Sequence, residues 1–282
     1  RIRNTSRFML ANMTGFDPQT DQVAMNNLVS LDAEMIRRTR KLSEKIMDHY
    51  RAYEFSGVTQ ALHHFCVDDL GSFYLDIIKD RQYTLKADSH ARRSCQTTLY
   101  WITEAFVRWM SPILSFTAQE IWEAMPGDRP QAFVFSATQI NLPEIVQPTG
   151  LDWVKLQSVK ETVNQAIERA RNNGLVKGSL SAEVTLFCDE MLRKELVKLG
   201  EEIRFLTITS EVRLAPLSDA PEISVVDPEC PGLAVMVTAA EAIKCERCWH
   251  HRNDVGTIEA HRSLCSRCVE NIDGAGEKRT YA

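Results

Sequence analysis

The sequence predicts a mainly α protein in which a helical bundle is followed by a small α/β module and a short cysteine-rich module. Apolar residues recur at three- and four-residue intervals through the first half of the chain, which is the period of an amphipathic helix. Clear strand-like runs begin after residue 180, and the paired cysteines lie near the C-terminal end. These observations predict a bundle at 1–127, a linker at 128–150, an α/β module at 151–240, and a cysteine module with a tail at 241–282.

The bundle prediction depends on three apolar stripes at helical spacing. One stripe extends from Leu31 to Tyr50, a second from Val58 to Ile77, and a third from Leu99 to Met110. Turn signals separate them, with Gly15 and Pro18 after the first helical segment and Pro112 after the third stripe. Residues 1 to about 125 are therefore expected to be helical apart from their connections.

The helical pattern of the first part of the chain is interrupted after residue 127. Several prolines interrupt 128–150, where Phe133 and Phe135 alternate as in a short strand. Beyond it, a helical period begins at Trp153, and a second helix is expected over 190–200. The expected strands are Glu183–Cys188, Glu211–Leu214 and Leu233–Val237. No glycine-rich phosphate loop follows a strand, so a nucleotide site is not expected in this module.

Four cysteines carry the strongest chemical signal. Cys245-Glu246-Arg247-Cys248 and Cys265-Ser266-Arg267-Cys268 are C-x-x-C pairs separated by sixteen residues. Such spacing brings two knuckles together as a tetrahedron of sulfurs, which suits Zn²⁺. Four protein ligands leave no open position for a catalytic water, so one structural Zn²⁺ is expected. Two disulfides or four free thiols are the alternative.

Composition limits the possible partners. The net charge is −5, and it is distributed as +2 over residues 1–112, −8 over 113–243 and +1 over 244–282. This charge argues against a general nucleic-acid coat, so any anionic partner must be recognised locally by a few placed residues near either end of the chain.

Cysteine usage and hydropathy indicate a compartment. The other cysteines, Cys66, Cys95, Cys188 and Cys230, do not show the paired spacing of secreted proteins, which favours a reducing cytoplasm. No run of eighteen apolar residues appears, so no membrane partner is expected. A helical pattern is already present at the first residue, which predicts that the sequence is a fragment of a longer protein.

Catalytic motifs are missing from the sequence. It contains no P-loop, G-x-S-x-G elbow, H-E-x-x-H motif or glycine-rich dinucleotide turn. The stretch 73–83 mixes aromatic residues with alternating charges, and we expect Lys79 and Arg81 to pair with Asp76 and Asp80 in preference to direct contact of this stretch with a ligand. The chain by itself is therefore not expected to be catalytic.

Several stretches together resemble bacterial isoleucyl-tRNA synthetases, a family of class I aminoacyl-tRNA synthetases. The cysteine module and 276–279 are similar to the C-terminal end of these enzymes. The stretches similar to their anticodon-binding region are Arg3–Phe8, Phe73–Tyr83, Ala87–Ser89, Arg92–Gln96, Trp109–Leu114 and the group Thr117, Glu120, Ile121 and Trp122.

The resemblance implies a function and a partner. It implies a non-catalytic part of an ATP-dependent isoleucine-tRNA ligase that recognises the anticodon stem-loop of tRNA(Ile). The ATP-binding catalytic core and the editing domain would lie in the remainder of the synthetase chain. A monomer in the cytoplasm is expected.

The resemblance also nominates tRNA-binding residues. The Asn-x-x-Arg-Phe pattern places Asn4, Arg7 and Phe8 toward the anticodon, although Phe8 is equally expected in the core. In the knuckles, Arg247 and Arg267 are expected to point outward to tRNA phosphate. Trp249 is expected to stack on a base or, preferably, to cover its knuckle. Two residues of the basic tail complete the set, Lys278 and Arg279.

Other readings remain open at the level of sequence. A zinc-finger DNA-repair glycosylase has a similar terminal finger, but Arg1-Ile2-Arg3 offers no N-terminal nucleophile. A zinc-stabilised interaction module without nucleic acid would suit the acidic middle. On the bundle alone, a valine- or leucine-specific relative is also possible.

Overall fold

The computed structural model describes residues 1–146 and 150–282. Within this part of the chain there are two compact units, one formed by 1–82 and 87–146 and the other by 83–86 and 150–282. The predicted α/β and cysteine modules belong to the same unit, and the boundary proposed between them at 240/241 stays a prediction. Residues 147–149 of the predicted linker lie outside the described residues.

The first unit is a helical bundle, which confirms the predicted fold class. Its two longest helices, α2 and α6, contact each other along the core, as expected from their apolar stripes. Residues 65–74 continue α3 as a π-helix, an arrangement with a wider hydrogen-bonding turn. The helices are α1 (Ile2–Asn12), α2 (Ser30–Arg51), α3 (Phe55–His64), α4 (Leu75–Ile77), α5 (Lys79–Thr84), α6 (His90–Met110) and α7 (Ser115–Ala124).

Most of the predicted linker packs on the bundle. Val134 and Leu142 are 1% and 8% exposed, and Arg40 donates a hydrogen bond to the carbonyl of Leu142 at 2.8 Å. Phe133 and Phe135 do not form the expected strand, because Val134–Ser136 is a 3-10 turn. The Gln119 side chain explains this turn, since its amide oxygen accepts a hydrogen bond from the Val134 backbone at 3.0 Å.

A buried ion pair lies in the centre of the bundle. Both terminal nitrogens of Arg81 are 2.8 Å from the carboxylate of Asp32, and the two side chains are 1% and 0% exposed. The same carboxylate accepts hydrogen bonds from the hydroxyls of Tyr74 and Ser94. The expected pairing of Arg81 within its own helix is therefore wrong, whereas that of Lys79 with Asp76 is confirmed at 2.9 Å.

A second buried carboxylate is Glu104 on α6. It is 3% exposed and forms ion pairs with Arg108 and Arg129, whose guanidinium groups lie 4.8 and 4.7 Å from the ring centre of Trp122. Burial acts to raise the pKa of Glu104, but hydrogen bonds from Arg129 and Arg108 outweigh it and lower the pKa. This cluster joins α6 to α7 and to the start of the 128–146 segment.

The lowered pKa of Glu104 predicts an acid-dependent stability. The stabilisation of the folded state by ionised Glu104 is complete above the unfolded-state pKa of about 4.3. It is lost as the pH falls through the folded-state pKa. Glu104→Gln should cost about 1.5–3 kcal/mol at pH 7, the typical value of charge-assisted hydrogen bonds, and less as the pH falls below the unfolded-state pKa. Unfolding free energies measured between pH 7 and pH 3 test this prediction. Glu120→Gln is the control, because its ion pair with Arg3 is more than half exposed, and a loss for Glu104→Gln that stays constant to pH 3 would contradict it.

The second unit is built on a mixed sheet of order β2-β1-β4-β3. β1 (Ala182–Cys188) is parallel to β2 (Glu211–Pro216) and antiparallel to β4 (Leu233–Ala239), which pairs in turn with β3 (Val225–Val226). Parallel neighbours need a helical crossover, and two helices lie between β1 and β2 in the chain. Three of these strands are confirmed predictions, whereas the short β3 was not predicted.

Helices cover the sheet and complete this unit. α8 (Trp153–Asn172) buries Leu156, Val159, Val163 and Ile167 at helical spacing and contacts β4 and β3. Asp152 and Asp189 begin α8 and α9 by accepting backbone N–H groups. Among the described helices, none is long and apolar enough to cross a membrane. The remaining helices are α9 (Glu190–Lys198), α10 (Ile203–Thr207) and α11 (Ser266–Ile272).

Candidate metal centre and nucleic-acid interface

The four predicted ligands form one cluster. The Sγ atoms of Cys245, Cys248, Cys265 and Cys268 all lie within 4.8 Å of one another, and each residue is at most 7% exposed. The Cys248 and Cys265 sulfurs are 3.7 Å apart. A tetrahedron with Zn–S bonds of about 2.3 Å has sulfurs about 3.8 Å apart, so this geometry fits Zn²⁺. The expectation of one structural zinc site is confirmed.

The electrostatics of the cluster also fit a cation. A hydrogen bond with Cys265 raises the pKa of the Cys248 thiol to about 12, whereas the bond from Cys248 lowers the pKa of the Cys265 thiol. Four adjacent sulfurs cannot all ionise unless a cation balances their charge. The backbone N–H of Cys265 also donates a hydrogen bond to the Cys245 sulfur at 3.4 Å.

Backbone hydrogen bonds close the first knuckle. The N–H of Trp249 donates to the carbonyl of Cys245, and the N–H of Cys245 donates to the carbonyl of His250, both at 2.9 Å. Trp249 has a φ of 66°, which is the left-handed conformation that ends such a tight turn. The imidazoles of His250 and His251 do not belong to the cluster, because His250 contacts Arg204 and His251 bonds the carbonyl of Ala242.

The two knuckle arginines do not point outward. Arg247 donates to the carbonyl of Thr84 at 3.0 Å. Arg267 donates to the hydroxyl of Thr84 at 2.9 Å and pairs with Glu277 at 2.5 Å, so that only 11% of its side chain is exposed. These nitrogen atoms are directed to Thr84 and Glu277 instead of outward, and contact of either arginine with tRNA phosphate stays a prediction. Their hydrogen-bonding groups are used to hold segment 83–86 of the same unit.

The tail is folded back and is only partly basic at its surface. Arg279 is 2% exposed, pairs with Glu277 at 2.7 Å and lies 3.2 Å from the ring centre of Phe205. The carboxylate of Glu202 accepts the three consecutive N–H groups of 280–282, each at 2.8 Å. The guanidinium of Arg279 is buried and paired, whereas Lys278 is exposed, and tRNA binding by either residue stays a prediction.

Trp249 does not cover its knuckle. Its side chain is 58% exposed, and the ammonium of Lys244 lies 4.5 Å from its ring centre. The apolar cluster of the module is formed without it, by the four cysteines, Val255 and Leu264. The preferred sequence interpretation is therefore wrong, and the exposed ring is available for stacking.

The three residues nominated in the bundle share one face of α1. Asn4 and Arg7 are exposed, and Phe8 is half-buried. Their spacing of three and four residues makes them neighbours on the helix surface. The opposite face is buried through Thr5, Ser6, Met9 and Asn12. This arrangement presents an amide, a guanidinium and part of an aromatic ring side by side.

Sequence reasoning missed the residues that hold the cysteine module in place. Thr84 binds both knuckle arginines, and Glu202 binds the tail. Neither belongs to a recognisable motif. The opposite charges of Glu277 and Arg279 gave only a weak indication that the tail is folded back, because opposite charges two residues apart in a polar tail are usually solvated.

Two family models match the chain. Residues 32–186 match the anticodon-binding domain of tRNA ligase, and residues 242–271 match the zinc finger found in FPG and IleRS. The first match covers more than half of the chain, and the second includes all four clustered cysteines.

Curated relatives are similar along the whole chain. The isoleucine–tRNA ligases of Shewanella baltica (strain OS155 / ATCC BAA-1091) and Idiomarina loihiensis are each 51% identical to it over 286 residues. That of Shewanella oneidensis is 52% identical. Each alignment covers 100% of this chain and 30% of the relative, so the chain spans 30% of the length of these proteins.

Proposed function

The chain belongs to the family of tRNA ligases that share this anticodon-binding domain, and on that premise we propose that it recognises the anticodon stem-loop of tRNA(Ile). The relatives named above are isoleucine–tRNA ligases, which supports isoleucine over the valine- or leucine-specific reading. The chain acts as the tRNA-recognising part of an ATP-dependent ligase whose catalytic and editing chemistry resides elsewhere.

The observation that carries this proposal is the exposed face of α1. An asparagine side chain offers both a donor and an acceptor to a base edge, and an arginine can bond phosphate. An aromatic ring can hold an unstacked loop base. Asn4, Arg7 and Phe8 provide these three groups on neighbouring positions of one helix.

The zinc module contributes a second set of contacts. Trp249 and Lys278 are exposed and carry the aromatic and cationic groups that single-stranded RNA requires. The metal acts indirectly, because it fixes the knuckle from which Trp249 projects. Holding the anticodon loop places the acceptor end of the tRNA in a distant active site, so that the free energy of anticodon binding contributes to selectivity for the correct tRNA.

The cellular setting follows from the same proposal. Cysteines that bind metal instead of forming disulfides are typical of a reducing compartment, and tRNA charging in bacteria takes place in the cytoplasm. The protein acts as a monomer, together with the remainder of the synthetase, which supplies the ATP site.

A titration with three nucleic acids tests the proposal. The zinc-loaded chain should bind an isoleucine-type anticodon stem-loop more tightly than a loop-substituted control or a damaged DNA duplex. Arg7→Ala should weaken binding and reduce the salt slope by about 0.7, as expected for one lost phosphate contact to a single strand. Arg51→Ala is the matched control, because Arg51 is an exposed helical arginine paired with Asp48.

Two results would overturn this function. Equal affinity for all three nucleic acids would exclude anticodon recognition. A preference for the damaged duplex would favour the glycosylase interpretation.

A further inference from the structure

Tyr83 projects into solvent from a segment that is otherwise buried. Its side chain is 61% exposed, whereas Gln82, Thr84 and Leu85 are 2–3% exposed. It occupies the last turn of α5 and begins the 83–86 segment of the second unit. Neither the resemblance nor the proposed function assigns a role to this ring.

The cysteine module holds the segment that carries Tyr83. Arg247 of the first knuckle bonds the carbonyl of Thr84, and Arg267 of the second knuckle bonds its hydroxyl. The ammonium of Lys86 donates to the carbonyl of Gly274 at 2.5 Å. Three hydrogen bonds with separate parts of the module therefore hold the residues on the C-terminal side of Tyr83, one through the Thr84 carbonyl and two through the Thr84 and Lys86 side chains. Both arginines lie next to a cysteine of the cluster, so zinc binding and the position of this segment are coupled.

Cationic side chains belong to the segment or contact it directly. Lys86 and the half-buried Arg247 belong to its immediate contacts. Gly276 packs against Lys86, since a Cβ at Gly276 would lie 3.2 Å from the Lys86 side chain. The exposed Lys278 follows two residues later. Lysine and arginine on such a segment favour the phosphodiester backbone of a nucleic acid.

An exposed ring on a fixed backbone is well suited to stacking. Tyrosine has two χ angles, so ordering it on binding costs little conformational entropy, and a clamped backbone adds no further cost. Unpaired loop bases stack on such rings, and each stacked base contributes about 1–3 kcal/mol.

We infer that Tyr83 is a base-stacking residue, held by the two zinc knuckles, whose ring contacts an unpaired base of the anticodon loop. This inference rests on the proposed function, because it names a contact within the same RNA complex. Under this inference zinc not only stabilises the cysteine module but also positions Tyr83, because the metal-bound knuckles hold its segment through Arg247 and Arg267.

Ring removal at Tyr83 tests the inference. Tyr83→Ala in the zinc-loaded chain should weaken binding of the isoleucine-type stem-loop about 5- to 140-fold, which corresponds to one stacked base. Tyr83→Phe should bind as the wild type does, because it keeps the ring. Tyr83→Leu should bind as weakly as Tyr83→Ala, because it keeps apolar bulk without a flat face. Zinc content and thermal unfolding of each variant confirm that the fold is retained.

The RNA partner provides the specific readout. With a stem-loop that carries abasic sites in the loop, Tyr83→Ala and wild type should bind equally, since no base remains to be stacked. Tyr53→Ala removes another exposed tyrosine ring, from the turn between α2 and α3, and should leave binding unchanged.

Four outcomes would overturn the inference. They are unchanged binding by Tyr83→Ala, an equal loss with intact and abasic RNA, an equal loss by Tyr53→Ala, and wild-type strength in Tyr83→Leu. If the wild-type chain does not distinguish the stem-loop from its controls, the proposed function fails and this inference fails with it. Normal wild-type recognition with an unaffected Tyr83→Ala variant rejects the stacking role alone.

Discussion

Removal of zinc should unfold the cysteine module and weaken RNA binding while the helical bundle stays folded. The apolar cluster of the module contains only Val255 and Leu264 besides the four ligands. So small a core cannot offset the conformational entropy of ordering the chain. Zinc binding typically supplies about 10–16 kcal/mol of apparent free energy in such modules. The bundle has its own core around Leu31, Ile36 and Phe106, which does not depend on the metal.

Hydrogen exchange after chelation measures this effect. Backbone amides of 245–268 should lose protection, whereas those of α2 and α6 should keep it. Cys268→Ala should reproduce the loss and abolish stoichiometric zinc binding. Cys188→Ala is the matched control, because it removes a buried cysteine outside the cluster. Full protection of the module and unchanged RNA affinity in the metal-free protein would contradict the structural role of zinc.

Substitution of Asp32 should give the largest loss of bundle stability. Asp32→Ala leaves the guanidinium of Arg81 buried without a counter-charge, and the hydroxyl groups of Tyr74 and Ser94 lose their shared acceptor. Breaking a buried pair from one side typically costs about 3–5 kcal/mol. We therefore expect the free energy of unfolding of the bundle to fall by that amount, as measured by denaturant titration and by hydrogen exchange in α2 and α6.

Two further variants separate the buried charge from other effects. Asp76→Ala removes an ion pair that is 35–50% exposed, and should cost no more than about 1 kcal/mol. The double variant Asp32→Leu/Arg81→Met replaces both charges by apolar groups and should recover part of the loss. A cost below about 1 kcal/mol for Asp32→Ala would show that water reaches Arg81, contrary to the burial of the pair.

The local chemistry of the chain was predictable to a large extent. The zinc ligands followed from spacing alone, because two C-x-x-C pairs need only a loop between them to meet. The helices α1, α2, α3, α6, α8 and α9 and three of the four strands followed from apolar periodicity, which reports the face that an element buries. β3 was missed because two residues are too few to show a period.

The partners of individual charged residues were not predictable. Arg81 pairs with a carboxylate 49 residues away, and Arg267 binds a threonine 183 residues away. Periodicity gives the orientation of a side chain on its own element but not the element that packs against it. The knuckle arginines and Arg279 therefore seemed free for RNA in the sequence, whereas the fold uses them to hold the 83–86 segment and the tail.

The sequence by itself determined the fold class, the four zinc ligands and the resemblance to isoleucyl-tRNA synthetases, because each is encoded in residue types at short spacing. The tertiary structure alone decided which cationic and aromatic groups remain exposed. Contacts between distant segments bury Arg267 and Arg279 and leave Trp249, Lys278 and Tyr83 at the surface. Burial depends on which segments pack together, and short spacing carries no information about that packing.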